Sequence, residues 1–261
     1  MPAPFSRIAL LPAAAMLALS GGAAAQAPAR PRVLAFFYPS GEIDHYMFAR
    51  EAIRKFDARA EAQGYSFVAT SDWDELNDAR LKNVKLVVWL NGLPRTAEQQ
   101  AAFQRYMDRG GAWLGFHISA LGANDWSWYH KAFLGGAMMS SGALAGSNWP
   151  SLPGRVNVDD AAHPVMRGVP QSFITPITEW YGWTPSPRAN PDIKVLLTLD
   201  KSNFPMGAKN MLNGGDIPVA WSNRRYHMLY LNYGHGDRIY TSPALVSMID
   251  NGVRWLLSGA N

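Results

Sequence analysis

Apolar and polar positions alternate along the first half of the chain in blocks of two lengths. Arg32–Tyr38 (RVLAFFY), Tyr65–Thr70, Lys85–Leu90 (KLVVWL) and Ala112–Ile118 are short runs dominated by apolar residues. That is the pattern of strands buried on both faces of a sheet. Between them, apolar residues recur at helical spacing: Ala49, Ile53, Phe56 and Ala60 within His45–Gln63, then Phe103, Tyr106 and Met107 after Thr96. Thr96 followed by Gln99 has the spacing of a capping box, and Ser71 or Asp72 is placed to cap a short helix through Lys82. Gly64 and Gly110-Gly111 end the two longer helices. Regular alternation of strand and helix predicts βαβ units on a parallel sheet.

The second half changes style. Asn124–Gly136 reads as a helix carrying Trp126, Trp128, Tyr129 and Phe133, and Ala137–Gly154 as a long loop. Arg155–Asp159 and Lys194–Leu199 read as short strands. Pro218–Trp221 and Tyr226–Tyr233 flank Ser222–Arg225 as a hairpin, and Ser242 caps a closing helix with Leu245, Ile249, Val253 and Leu256 inside. Nothing repeats and no linker divides the chain, so residues 26–261 form a single domain. Ahead of it, Arg7, the apolar run Ile8–Ser20 and Ala23-Ala24-Ala25 make a secretory signal peptide over residues 1–25. The mature protein is then expected in the periplasm or outside the cell.

Composition removes several functions. The net charge of +4 is spread without basic clusters, which argues against nucleic acid as a partner. No later run spans a bilayer, so no integral membrane segment is expected once the signal is removed. The chain has no cysteine, which excludes a thiol nucleophile, a disulfide and a thiolate metal site. No G-x-S-x-G elbow, phosphate loop or dinucleotide fingerprint occurs. The chain has 10 tryptophans and 10 tyrosines, and many of them lie in the second-half loops and short helix, among them Trp126, Trp128, Tyr129, Trp149, Trp180, Tyr181 and Trp183. Flat aromatic faces pack against the C–H faces of sugars, and Asn124, Asp125, Asn148, Asn232 and Asp237 offer partners for hydroxyls. Trp128, Tyr181, Trp126, Trp180 and Asn232 are the substrate-binding candidates, with a small carbohydrate as the partner. A homo-oligomer is compatible with this sequence.

The order GGAWLGFHISA, WSWYHKAFLGG, His163-Pro164, EWYGW at Glu179–Trp183, PVAW and LNYGHGD resembles the ThuA-like family, named for trehalose utilisation, over about Arg32 to Gly259. The resemblance implies a flavodoxin-like three-layer α/β/α sandwich of the class I glutamine amidotransferase-like group, with a mainly parallel sheet and an antiparallel C-terminal extension. It also implies that His117 stands where amidotransferases carry a nucleophilic cysteine, and His235 where they carry a histidine. Without cysteine, glutamine hydrolysis through a thioester is excluded. The family pattern has phenylalanine and histidine soon after the Gly-Gly pair, where this chain has Met138–Ser141. The family's association with disaccharides and their 3-keto derivatives implies lyase, hydrolase or isomerase chemistry.

His117 ends an apolar strand, and ligands of open α/β sheets sit beyond the carboxyl ends of strands. His45 follows the first strand, Glu179 lies in the aromatic insertion, and His235 stands between two glycines that permit close backbone approach. These four are the catalytic candidates, His235 joining the others if its strand is parallel, as the resemblance implies. Histidines and a carboxylate support acid–base catalysis or a divalent metal such as zinc, with His45, His117 and His235 as candidate ligands. His130 reads as structural or as part of the rim, His163 as fixing a turn and His227 as exposed. Two other readings stay open: a non-catalytic periplasmic sugar-binding protein, and a metal-dependent enzyme on another small substrate.

Overall fold

The computed structural model describes Met1 and residues 29–121, 126–138, 151–202 and 215–259. Residues 2–25, where a signal peptide is expected, and Asn124, Asp125, Asn148 and Trp149 lie outside the described residues. The strands are β1 (Arg32–Phe36), β2 (Ser66–Thr70), β3 (Leu86–Trp89), β4 (Ala112–Phe116), β5 (Arg155–Val158), β6 (Ser172–Ile174), β7 (Ile193–Leu199), β8 (Ile217–Asn223) and β9 (Met228–Leu231). The helices are α1 (Ile43–Ala60), α2 (Asp78–Leu81), α3 (Ala97–Asp108) and α4 (Pro243–Ser258). The chain is thus a mixed α/β protein on one nine-stranded sheet, in the order β2-β1-β3-β4-β9-β8-β7-β5-β6.

From β2 to β9 neighbouring strands are parallel, and from β9 to β6 they are antiparallel. The antiparallel part is an insertion between β4 and β9 and not a C-terminal extension. The chain leaves the parallel sheet after β4, builds β5 to β8, and returns through β9 to pair with β4, register Trp113↔Met228 to Phe116↔Leu231. That return sets the residues after β9 beside the residues after β4. No helix of the described residues is long and apolar enough to cross a membrane.

Both faces of the parallel part are covered because successive strand residues point opposite ways. On β4, Trp113 meets Phe103 of α3 at a ring separation of 6.3 Å, while Phe116 meets Phe48 of α1 at 5.1 Å. The expected capping box starts α3: Thr96 Oγ1 accepts from Gln99 N at 3.2 Å, and Gln99 Oε1 accepts from Thr96 N at 3.3 Å. The expected helix through Lys82 is instead a 3-10 turn at Trp73–Glu75 followed by α2. Of the helix expected at Asn124–Gly136, the described part carries a π-helical turn at Tyr129–Phe133. Strand β6 has no sequence signature. It is three residues long with two of them exposed, so no apolar run announces it.

His227 is buried, contrary to the expected exposure. Its Nε2 lies 3.2 Å from the Trp255 carbonyl and its ring 4.4 Å from the indole, because α4 packs across the start of β9. His163 does fix its turn: its Nδ1 accepts from Val165 N at 3.3 Å. Burial, and secondly the Lys194 charge, hold the His163 imidazole down at about 4. A histidine whose folded value lies below its unfolded one binds more protons when unfolded, so stability is whole above about pH 6.5 and falls as the pH drops toward 4. The expected loss is at most roughly 3 kcal/mol. Urea midpoints of wild type and His163→Gln between pH 7 and 4 check it: the variant should show a shallower acid decline, and parallel curves would refute the assignment.

Candidate functional site

The carboxyl ends of β1, β4 and β9 lie on one edge of the sheet, and each delivers an imidazole there. After β1 the chain enters α1, whose cap is Glu42: its carboxylate accepts from His45 N at 3.0 Å and so orients the first turn. After β4, His117 takes φ 40, the only positive φ of a non-glycine residue among those described. A left-handed residue at a strand end turns the chain sharply and costs backbone energy, which places it among functional outliers. His117 is fully buried, and its carbonyl accepts from the Tyr230 hydroxyl at 2.9 Å. After β9, Gly234 has φ 152, and a Cβ there would stand 2.7 Å from the His117 Cβ. The glycine is what lets the two chain segments approach.

Three imidazoles from distant segments meet here. Ring centroids are 5.1 Å apart for His45 and His117, 5.1 Å for His45 and His235, and 5.5 Å for His117 and His235. Glu179, from the segment between β6 and β7, sets its Oε2 3.1 Å from His117 Nε2 and 3.9 Å from His235 Nε2. The sequence candidates His45, His117, His235 and Glu179 are therefore together.

The protons on His117 follow from its partners. Nδ1 lies 3.0 Å from the Asn232 carbonyl, which only accepts, so Nδ1 carries the hydrogen. Burial pushes the imidazole down, against the raising effect of Glu179. The neutral ring then presents a lone pair at Nε2. The Tyr181 hydroxyl sits 2.8 Å from it, with its ring stacked on His117 at 4.2 Å. Burial, then the Glu179 charge, raise that phenol well above its ordinary value, so it keeps its proton. His45 is pushed down to about 4, first by burial and then by His117. Its Nδ1 lies 3.6 Å from the Glu42 carboxylate, and its Nε2 is buried without a hydrogen-bond partner among the described residues. His235 is the outermost imidazole. Ser151 Oγ lies 3.4 Å and Asp44 3.7 Å from its Nδ1, and Glu42 3.7 Å from its Nε2.

Two groups bring ligand atoms within 4.8 Å of one another and can hold a cation: Glu42, His45 and His235, or His45, His117 and Glu179. The three histidine candidates divide between these groups, each completed by a carboxylate. Glu42 and Asp44 are the residues that the sequence reading missed. An acidic cap just before the first histidine was the available signal.

The aromatic candidates lie deeper than a sugar-lined mouth requires. Trp126 stacks on Tyr129 at 4.7 Å, and Trp128 stacks on Phe133 at 5.0 Å and donates to the Tyr226 hydroxyl at 3.0 Å. Both belong to the cluster around Phe103. Trp180 is fully buried and donates to the Leu152 carbonyl at 3.0 Å. Tyr181 reaches the imidazoles, as its contact with His117 shows. Asn232 braces the site: its carbonyl holds His117, and its side-chain Nδ2 donates to the Glu179 carbonyl at 2.9 Å. A cleft of about 770 Å³ lies along His130, Lys131, Gly135, Pro185 and Asn190, and its lining includes none of the imidazole cluster.

Comparison with known proteins follows the same outline. A family model described as "Trehalose utilisation" matches residues 32–256. A crystal structure given a ThuA-like assignment, from Bacteroides uniformis, is 37% identical with a TM-score of 0.80, over 91% of this chain and 96% of that one. Another from Parabacteroides merdae is 15% identical with a TM-score of 0.66, covering 88% and 91%. A cytoplasmic protein from Salmonella typhimurium, STM3548, is 10% identical with a TM-score of 0.52, covering 86% and 98%. The last two likenesses concern the fold alone. No curated protein matches the sequence. A family model spanning nearly the whole described domain, together with a relative of this identity and coverage, establishes that the chain belongs to the ThuA (trehalose utilisation) family.

Proposed function

We propose that this protein is a carbohydrate-active enzyme that acts on a disaccharide or a keto-glycoside by acid–base chemistry at His45, His117, Glu179 and His235. The observation that carries the reading is the convergence of three imidazoles and a carboxylate at the carboxyl edge of the parallel strands, in a member of the trehalose utilisation family. Two of the imidazoles are neutral at pH 7 and available as bases. On a keto-glycoside, an imidazole takes the proton beside the carbonyl. The C–H electron pair becomes the C=C bond, the bond to the leaving sugar's oxygen breaks, and that oxygen takes a proton from a second group. His235 is placed to exchange this proton with solvent, since its side chain is 15% exposed. Tyr181 and Asn232 hold His117 and Glu179 in register. The same reading takes the sheet as the middle of a flavodoxin-like three-layer sandwich, and residues 1–25 as an export signal.

The test is product analysis of purified protein against unmodified and 3-keto disaccharides. The expected result is turnover of a keto-disaccharide to two monosaccharide-sized products or an isomer. Saturable sugar binding without turnover would overturn the enzymatic reading and leave a sugar-binding protein.

A further inference from the structure

We propose that His45, His117 and Glu179 hold a divalent transition-metal ion. The proposal rests on the reading of the same site, where it makes His45, His117 and Glu179 ligands of the ion in place of acid–base groups and leaves His235 to move the proton; the experiment below lets either reading fail alone. Three atoms meet around one point: His117 Nε2, Glu179 Oε2 at 3.1 Å and the Tyr181 hydroxyl at 2.8 Å from Nε2. The Asn232 carbonyl takes the hydrogen on the other nitrogen, so Nε2 faces the carboxylate and the phenol. His45 Nε2 is buried without a hydrogen-bond partner among the described residues. A metal ion satisfies all three residues at once, and one ligand atom from each lies within 4.8 Å of the others.

The donor set points the same way. Two imidazoles and one carboxylate, with a backbone carbonyl on the far nitrogen of one imidazole, make the usual inner and outer shells of zinc and related ions. Three protein ligands leave further positions for water or substrate, as in catalytic sites and unlike closed structural ones. An ion there can bind the carbonyl and the adjacent hydroxyl of a keto sugar. The alternative group of Glu42, His45 and His235 is weaker: the Glu42 side chain is 44% exposed, against 13% for Glu179, and it already caps α1.

The full chain, stripped with chelator, is titrated with zinc chloride by calorimetry. One equivalent should bind saturably, and Glu179→Gln and His45→Asn should each weaken it by more than about 100-fold. His235→Asn should stay within about threefold of wild type. No saturable uptake, or wild-type uptake by Glu179→Gln, would overturn the proposal. Loss in His235→Asn with retention in Glu179→Gln would also overturn it, and would move the ion to the Glu42 group. Should Glu179→Gln fail to fold, cobalt-loaded His235→Asn decides: two strongly shifted imidazole N–H proton resonances support the site, and their absence refutes it. Zinc uptake without turnover of any disaccharide would sink the carbohydrate reading alone. Turnover unchanged by stripping would sink the metal alone.

Discussion

Replacing His117 by asparagine is expected to cut turnover of the disaccharide substrate by about 10³-fold while the protein still folds. Asparagine is chosen because it tolerates the left-handed backbone that His117 adopts. It removes the imidazole lone pair that faces Glu179 and Tyr181. The lost hydrogen bond to the Asn232 carbonyl should cost about 1–2 kcal/mol. Steady-state kcat/KM, measured beside urea unfolding, checks both numbers. Activity within tenfold of wild type in a folded His117→Asn protein would remove His117 from the chemistry.

A large loss of stability is expected from Gly234→Ala. The new methyl would stand 2.7 Å from the His117 Cβ, 3.4 Å from Phe48 and 3.5 Å from Phe116, at a φ of 152 that side chains rarely adopt. The first of these contacts is to the base of a fully buried side chain and has no flexible end to yield. Overpacking and backbone strain together should cost about 2–5 kcal/mol. Gly168→Ala is the control. It has φ 73 but nothing within 4 Å of the added methyl, so it should show only a backbone cost of roughly 1–2 kcal/mol. Urea midpoints compare the two. Equal losses would show that the approach of Gly234 to His117 is not tight, and would weaken the account of how β9 delivers its loop to the site.

Much of the frame was legible before any coordinates. Three of the four parallel strands of the first half, β1, β3 and β4, are buried on both faces, so each appears as an unbroken apolar run. β2, at the sheet edge, is the exception: its residues are partly exposed, and the reading rested on Gly64 before it and on its apolar and β-branched residues. Caps were legible because they are local: Thr96 with Gln99, and Ser242, which accepts from Leu245 N at 3.4 Å. β6 and the true place of the antiparallel strands were not legible, since pairing partners lie far apart in sequence and short exposed strands carry no periodicity. His227 was misjudged for the same reason. The helix that buries it begins sixteen positions later in the chain.

The site divides in a similar way. His117, His235, His45 and Glu179 were nameable because chemistry restricts which residue types can act, and strand ends restrict where. Their protonation was not nameable. It depends on the Asn232 carbonyl, on Tyr181 stacked over the ring and on burial, and these exist only once β9 has returned beside β4. The aromatic residues show the opposite limit: composition announced that they were abundant, but Trp126 and Trp180 lie in packing whose extent no local pattern encodes. By itself, then, the sequence determined the parallel strands of the first half, the longer capped helices, the absence of thiol chemistry and the set of groups able to move a proton. The tertiary structure alone decided which of those groups meet, which nitrogen of His117 carries hydrogen and which aromatics are sealed away. Local propensity and residue chemistry act within a few positions of chain, whereas proximity, burial and charge pairing arise only when distant segments close on one another.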